Sequence, residues 1–126
     1  MNENELSKIA LDVAFKIHKE LGPGLFESVY EAIMAYELIE EHHLSVHRQR
    51  PIPVIWKDVK LELGFRSDLI IEEKLIVEIK SIEALAPVHA KQLLTHPRLT
   101  NIKLGLLINF NEELLKNGIK RIVNNL

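Results

Sequence analysis

The length and composition of the chain exclude several classes of protein. Its 126 residues, 47% hydrophobic and 27% charged, are typical of one compact domain spanning residues 1–126. The chain has no cysteine, which excludes disulfide scaffolds, thiol nucleophiles, cysteine-ligated zinc sites and iron–sulfur clusters. The net charge of −2 does not indicate a nucleic-acid binder, although carboxylates clustered around a divalent cation could offset a basic surface elsewhere.

The order of acidic and apolar residues argues against export and against insertion into a membrane. Acidic residues come early, before any uninterrupted apolar stretch, which is not typical of a secretory signal. No apolar run approaches the roughly 20 residues that span a bilayer. We therefore expect a cytoplasmic protein, and the lack of cysteine is compatible with a reducing compartment.

Two helices are predicted in the first third of the chain. Apolar residues spaced three and four apart from Leu6 to Leu21 predict an amphipathic helix, with Gly22 where a left-handed C-terminal cap belongs. After a Gly-Pro-Gly break, helical spacing resumes at Phe26 and continues to about His42, with apolar side chains over a wide arc. The second helix is therefore expected to be well buried.

The sequence between Leu44 and Ser81 changes to β-branched alternation, which predicts three or four antiparallel strands. Pro51 and Pro53 place the first strand at an edge of the sheet or outside its ladder, because proline has no backbone N–H to donate. The run Phe65–Lys80 contains two apolar stretches separated by the charged residues 72–74. This pattern predicts a buried hairpin.

The remaining elements alternate helix and strand. Pro87 is expected to open a third helix, and Pro97 to end or kink it. The nearly all-apolar run Lys103–Phe110 is typical of a strand in the interior of a sheet that is covered on both faces. Asn111 is then expected to cap a short helix that ends near Gly118 and precedes a last edge strand. The predicted class is α/β.

Three charged residues interrupt the apolar runs of the predicted hairpin: Asp68, Glu78 and Lys80. If the turn uses the three residues 72–74, Asp68 faces Glu78 and Arg66 faces Lys80, so all four side chains share one face. Two carboxylates about 5 Å apart repel unless a cation lies between them, and oxygen ligands suit Mg²⁺ or Mn²⁺. Lys80 would point to the same place, where it could stabilise negative charge or orient a water.

The spacing alone leaves other arrangements open. A two-residue turn would move Glu78 to the opposite face of the hairpin. Alternatively, Asp68 and Lys80 form a diagonal structural salt bridge while Glu78 faces water. An Asp-x₉-Glu-x-Lys spacing is loose enough to occur by chance, so the spacing does not decide between a metal site and an ion pair.

Several short motifs, in this order, resemble one known family. Residues 24–30, Gly-Leu-Phe-Glu-Ser-Val-Tyr, fit the motif that names the GxxExxY proteins, which belong to the restriction-endonuclease-like PD-(D/E)xK superfamily. Residues 65–68 (Phe-Arg-Ser-Asp) and 77–80 (Val-Glu-Ile-Lys) resemble its two core motifs. Residues 92–94 and 105–110 are similar to its later segments. The resemblance covers nearly the whole chain without large insertions.

This resemblance implies a restriction-endonuclease-like α/β core, with a central mixed sheet flanked by helices. It implies a nuclease that hydrolyses DNA or RNA with Mg²⁺ or Mn²⁺. It assigns Asp68 and Glu78 as metal ligands and Lys80 as the catalytic lysine. It adds Glu27 as a further metal-site carboxylate and Gln92 as a site residue on the third helix.

Some of these residues also have simpler interpretations. Without the resemblance, Glu27 is an acid that complements the dipole of its helix, and Tyr30 is expected to be a core aromatic rather than a ligand. His89, Gln92 and His96 fall on one helical face, which makes a histidine metal site a minor alternative because the strands already supply carboxylates. This chain has His96 where related members carry a tyrosine, a departure that could reshape the cleft.

The expected partner is nucleic acid, with phosphate contacts from Arg66, Lys91 and Arg98, and with 47–50 and Lys103 as further candidates. Scattered surface charge is the simpler interpretation of these residues. No Gly-rich phosphate loop indicates a nucleotide cofactor. The alternative function is a catalytically inactive nucleic-acid- or protein-binding module that retains the nuclease fold. In either role, so small a chain could need a partner protein or form a homodimer.

Overall fold

The computed structural model describes residues 1–124, and the side chains of residues 62–65 and 94–100 lie outside that description. The elements are α1 (Glu3–Leu21), α2 (Glu27–Glu40), β1 (Val46–Trp56), β2 (Val59–Ile71), β3 (Leu75–Lys80), α3 (Pro87–Thr100), β4 (Leu104–Asn109), a short 3-10 helix (Leu115–Gly118) and β5 (Ile119–Val123). Within the described residues, none of the helices combines the length and apolar character needed to cross a membrane.

The described strands form one five-stranded mixed sheet in the order β1-β2-β3-β4-β5. Strands β3 and β4 are parallel, and the other neighbours are antiparallel. The connection between the parallel strands β3 and β4 runs through α3, as expected because a parallel pair needs a crossover that brings the chain back to the same end of the sheet. The structure therefore has the predicted α/β architecture, a central mixed sheet flanked by helices.

Helices α1 and α2 cover one face of this sheet. Their apolar stripes meet the side chains that alternate along β2, β3 and β4, and full burial of each such side chain contributes about 1.5–3 kcal/mol. This layer is the larger core and includes Leu6, Ala10, Met34, Leu38, Ile71, Val77 and Leu106.

Helix α3 covers the opposite face and forms a smaller core. Leu93 of α3 packs there with Ile70, Ile76, Ile102 and Leu107. A Cβ atom added at Gly105 of β4 would lie 3.2 Å from the Leu93 side chain, so the absence of a side chain at this position allows the close approach of α3. Leu93 is buried on the sheet, and the side chain of its neighbour Leu94 lies outside the described residues.

The positions of the strands confirm several predictions. Strand β1, which contains Pro51 and Pro53, lies at one edge of the sheet, and β5 lies at the other. Strand β4 lies between β3 and β5, and all its side chains are buried. The hairpin turn occupies residues 72–74, and the pairing of Leu69 with Val77 gives the register that a three-residue turn requires.

Other predictions are wrong in detail. Pro97 does not end α3, which continues to Thr100, and the alternative of a kink at Pro97 stays a prediction; Asn101 ends the helix by adopting the left-handed conformation, with φ of 63°. Asn111 does not cap a helix, because the 3-10 helix begins at Leu115 without a side-chain cap. Phe26, which the spacing places on the buried arc of α2, is 83% exposed.

Buried Asn109 organises the segment for which the sequence predicts a cap at Asn111. Its Oδ1 accepts hydrogen bonds from the backbone N–H groups of Asn111 at 3.2 Å and Ile82 at 3.1 Å, and its Nδ2 donates to the Ile82 carbonyl at 3.0 Å. Asn109 thus ties the end of β4 to the loop that follows β3.

Candidate active site

Two carboxylates take the place of backbone pairing where the β2–β3 ladder stops. The last paired residues in this direction are Leu69 and Val77. One residue further along, Asp68 Oδ2 accepts a hydrogen bond from the Ile79 N–H at 2.8 Å, and Glu78 Oε1 accepts one from the Asp68 N–H at 3.3 Å. These bonds fix Asp68 and Glu78 as neighbours across the two strands, as the sequence predicts.

The surroundings of Asp68 disfavour its negative charge. Glu78 is only 9% exposed, and Asp68 is half-buried. Burial and then the Glu78 carboxylate raise the pKa of Asp68 to about 6, whereas hydrogen bonds from the Ile79 N–H and the Gln49 side chain lower it. The charged form of Asp68 is therefore disfavoured at this position.

The simpler arrangement, an Asp68–Lys80 salt bridge with Glu78 facing water, is not found. Within the described part of the chain, Lys80 and Asp68 do not form an ion pair, and Glu78 is buried. Lys80 lies at the end of β3 with its side chain half-buried, opposite Asn109 in the register with β4. Its position two residues after Glu78 puts both side chains on the same side of β3.

A cleft of about 840 Å³ opens beside Asp68. Its walls come from the start of α2, from β1 and from the loop after β3. The lining residues are Gly24, Leu25, Phe26, Glu27, Ser28, Glu31, Gln49, Asp68, Ser81 and Asn111. The structure thus brings Glu27 and Asp68 into one cleft, whereas buried Glu78 adjoins it through Asp68.

Glu27 connects the start of α2 to the end of β3. Its Oε2 accepts a hydrogen bond from the Ser81 N–H at 3.1 Å, and the Ser81 hydroxyl donates to the Leu25 carbonyl at 2.6 Å. Glu27 also lies in the first turn of α2, where a negative charge complements the helix dipole. Glu27 therefore complements the dipole of α2 and also lies in the cleft with Asp68, so the fold is compatible with both interpretations of this residue.

Tyr30 is a core aromatic, as predicted. It is fully buried and stacks on Phe110, with ring centroids 4.3 Å apart. Its hydroxyl donates to the Gly22 carbonyl at 2.6 Å and accepts from the Leu25 N–H at 3.2 Å. Gly24 has φ of 100°, a conformation suited to glycine. The Gly-x-x-Glu-x-x-Tyr motif therefore shapes the α1–α2 loop and places α2 beside the carboxylates.

Two further residues line the cleft: Glu31, which the sequence analysis did not single out, and Gln49, which it included only within the candidate phosphate contacts 47–50. Glu31 is 6% exposed and accepts from Arg48 Nη2 at 3.1 Å. The Gln49 Nε2 amide donates to Glu31 Oε1 at 2.6 Å and to Asp68 Oδ1 at 2.9 Å. Gln49 has φ of 52°, a strained conformation for this residue type. Its amide bridges α2 and β2 across the cleft.

A signal for Glu31 exists in the sequence. It is one helical turn after Glu27 and places a charge among the apolar positions of α2. Gln49 gives no comparable signal, since its role depends on a local irregularity of β1 and on the packing of α2.

The predicted basic contacts are distributed around the molecule. Arg66 is exposed and donates to the Gln49 carbonyl at 3.2 Å. Lys91 and Lys103 are exposed, and the Arg98 side chain lies outside the described residues. Within 47–50, both arginines pair with carboxylates: Arg48 with Glu31, and Arg50 with Glu73 at 2.7 Å.

The structure does not place the described α3 residues Gln92 and His89 in the cleft beside Asp68. Gln92 is exposed and is not among the described residues that line the cleft. His89 Nδ1 accepts a hydrogen bond from the Ala86 N–H at 2.8 Å, so this histidine closes the first turn of α3. His96 of the minor histidine alternative lies outside the described side chains.

The residues present fit a hard divalent cation in part. Asp68 and Glu78 offer oxygen ligands, and Mg²⁺ is commonly held by one or two carboxylates together with substrate phosphates. Among the described residues, no three His, Cys, Asp or Glu side chains form a complete cation site. The three-carboxylate metal site of Glu27, Asp68 and Glu78 stays a prediction.

Residues 4–122 match the family model of the PD-(D/E)XK nuclease superfamily. Because the match covers nearly the whole chain, the protein belongs to this superfamily, and its fold is restriction-endonuclease-like. Nucleases of this superfamily generally use divalent metals and act on nucleic acids. Neither the search of curated proteins nor the search of solved structures found a match.

Proposed function

We propose that this protein is a Mg²⁺- or Mn²⁺-dependent nuclease of the GxxExxY family, which hydrolyses phosphodiester bonds in DNA or RNA. The observation that carries the proposal is the pairing of Asp68 and Glu78 where the β2–β3 ladder stops. Burial and the Glu78 carboxylate disfavour the charge on Asp68, and a divalent cation would offset this cost.

Asp68 and Glu78 would hold the cation, with Glu27 as a third carboxylate from α2. The bound cation would polarise the scissile phosphate and lower the pKa of an attacking water. Hydrolysis joins the water oxygen to phosphorus and breaks one P–O ester bond. The products are a phosphate monoester and a free hydroxyl, whose oxygen takes a proton.

The protein's own residues would prepare the site for this reaction. Lys80 would stabilise the negative charge that develops on the phosphate oxygens in the transition state. The Gln49 amide would orient Asp68, because it holds Oδ1 while the Ile79 N–H holds Oδ2. Gln92 is proposed to contact the substrate from α3.

The basic residues would act on the rest of the nucleic acid. Arg66, Lys91 and Arg98 are proposed phosphate contacts, whose contribution falls as the salt concentration rises. We also propose that the protein acts with a partner protein or as a homodimer.

The test is cleavage of single- and double-stranded DNA and RNA with Mg²⁺ or Mn²⁺ and with EDTA. We expect metal-dependent cleavage by the wild type and loss of cleavage by Glu78→Gln, which keeps the side-chain size but removes the charge. Glu113→Gln, at an exposed carboxylate outside the cleft, is the matched control and should retain activity. A wild type that binds nucleic acid and metal but cleaves no substrate would instead support the binding module.

A further inference from the structure

One aromatic side chain, that of Phe26, is among the described residues that line the cleft. It is 83% exposed, lines the cleft and immediately precedes Glu27. Leu25, which precedes Phe26, and Val29, which lies one helical turn after it, are each 37% exposed. Single exposed apolar residues are common in proteins, but a large apolar side chain beside other exposed ones at the mouth of a cleft indicates a contact surface.

The backbone that carries this ring is fixed by several hydrogen bonds. The Phe26 carbonyl accepts from the Val29 N–H at 3.0 Å in the first turn of α2. The preceding residue, Leu25, is held by its N–H to the Tyr30 hydroxyl and by its carbonyl to the Ser81 hydroxyl. A ring presented on a fixed backbone loses little conformational freedom when a ligand stacks on it.

The charge of the cleft restricts what can bind there. The described lining residues include three carboxylates, Glu27, Glu31 and Asp68. These lining residues include no lysine or arginine. Arg48 pairs with Glu31, so the repulsion of phosphate groups comes chiefly from Glu27 and Asp68, and a cation bound there would offset it. A duplex presents mainly phosphates outward, whereas a single strand also presents the faces of its bases, which stack on aromatic side chains.

We infer that Phe26 stacks on an unpaired base of a nucleic acid that enters the cleft, so that the site takes single-stranded nucleic acid in preference to a duplex. This inference rests on the proposed function for the placement of the nucleic acid at the carboxylates. Phe26 supplies the attraction to the base, and a cation at the carboxylates supplies the attraction to the backbone.

The experiment compares the affinity for a base-bearing single strand with that for a strand of equal length that has abasic sites throughout. Oligonucleotides of about 12 nucleotides suit a site of this kind. Fluorescence anisotropy is measured in Ca²⁺, which occupies oxygen-ligand sites, and gels verify that the strands stay intact. Phe26→Ala should weaken binding of the base-bearing strand about tenfold and leave the abasic strand and the duplex unchanged. Phe26→Trp should retain wild-type affinity.

The matched control is Phe15→Ala. Phe15 is 43% exposed on α1 and lines a different depression with His18 and Leu114. It should not change binding of either strand. Equal weakening of base-bearing and abasic strands by Phe26→Ala, unchanged affinity for both, or conversion of a dimer to a monomer would overturn the inference.

Cleavage assays separate this inference from the proposed nuclease function. A wild type that binds the base-bearing strand through Phe26 but cleaves nothing supports the stacking role and contradicts the nuclease. A metal-dependent nuclease that cleaves duplex and single strands equally, with or without Phe26, supports the nuclease and overturns the stacking role.

Discussion

The two ends of the β2–β3 pair are held together by different groups. At the turn end, Ile70 pairs with Ile76 and Leu69 with Val77 in a regular ladder, and all four side chains are fully buried. At the other end, which we call the open end, Asp68 and Glu78 bind opposite backbone N–H groups with their carboxylates. At the open end, the Glu78 carboxylate lies next to Asp68 and raises the pKa of that carboxyl.

The difference shows how one hairpin combines stability with a reactive site. Apolar burial at the turn end keeps the two strands in register. That register brings two carboxylates together although their charges disfavour it. Changes at the turn end should therefore act on folding, and changes at the open end on chemistry and metal binding.

The largest effect on stability is expected from Ile76→Ala at the turn end. Ile76 is fully buried between the sheet and α3, so its truncation leaves a cavity and should lower the free energy of unfolding by roughly 3 to 4 kcal/mol. Ile76→Val should lower it by only about 1 kcal/mol. The measurement is urea denaturation. Ile55→Ala, at a position 68% exposed, should change little; an equal loss there would contradict the comparison.

Lys80→Ala at the open end should act on turnover instead. If Lys80 stabilises the transition state, kcat should fall a hundredfold or more, on the order of 3 kcal/mol, with a modest change in KM. The free energy of unfolding should stay near the wild-type value, because Lys80 does not pair with Asp68 in the described structure. Lys103→Ala is the control at an exposed lysine. Loss of stability with unchanged kcat would make Lys80 a structural residue.

Asp68→Asn should stabilise the metal-free protein at neutral pH, the opposite sign to Ile76→Ala. Folding raises the pKa of Asp68 from 3.8 to about 6, so the folded state binds this proton more tightly than the unfolded state. Stability from Asp68 is therefore greatest below about pH 4 and is lost as pH rises through about 6. The variant should exceed the wild type by about 1–2 kcal/mol above this range, with the difference disappearing in acid.

The same variant tests the cation. Mg²⁺ or Mn²⁺ should raise the melting temperature of the wild type, because the ion binds the folded state, and should not raise that of Asp68→Asn. Asp12→Asn changes an exposed aspartate that pairs with Lys8 on α1 and serves as the control in both measurements. Equal metal-induced shifts in wild type and Asp68→Asn would remove Asp68 from the cation site.

The smallest expected effect is that of Gln49→Ala on the titration of Asp68. The Gln49 amide donates to Asp68 Oδ1 and lowers the pKa of this carboxyl, so its removal should move the pKa upward. The measurement is an NMR titration of the Asp68 carboxyl carbon. Gln92→Ala removes the same amide from α3 and should leave the titration unchanged if Gln92 does not reach Asp68. A downward shift in Gln49→Ala would contradict the geometry of the cleft.

Much of the open end could be predicted from the sequence. The apolar stretches on both sides of residues 72–74 have matching lengths, and a three-residue turn then pairs Asp68 with Glu78. The turn itself contains no glycine, yet Glu72 and Glu73 adopt positive φ values of 52° and 55°. The burial of both flanking stretches outweighs this local cost.

The surroundings of the pair could not be predicted in the same way. The sequence indicates neither that Gln49 bridges Glu31 and Asp68 nor that Phe26 leaves the buried arc of α2. Glu31, a charge among apolar positions, gave a usable signal. The role of a residue could be predicted where the signal comes from neighbours close in sequence, and it could not be predicted where its neighbours come from distant elements.

By itself, the sequence predicted the order of the main helices and strands, β1 and β5 as edge strands and β4 as a buried strand, and it predicted the register of the β2–β3 hairpin on the condition that the turn uses residues 72–74. These features follow from local periodicity, from proline positions and from turn length. Only the tertiary structure decided which residues surround Asp68. That choice depends on where α2 lies on the sheet, which is set by packing between segments far apart in the chain.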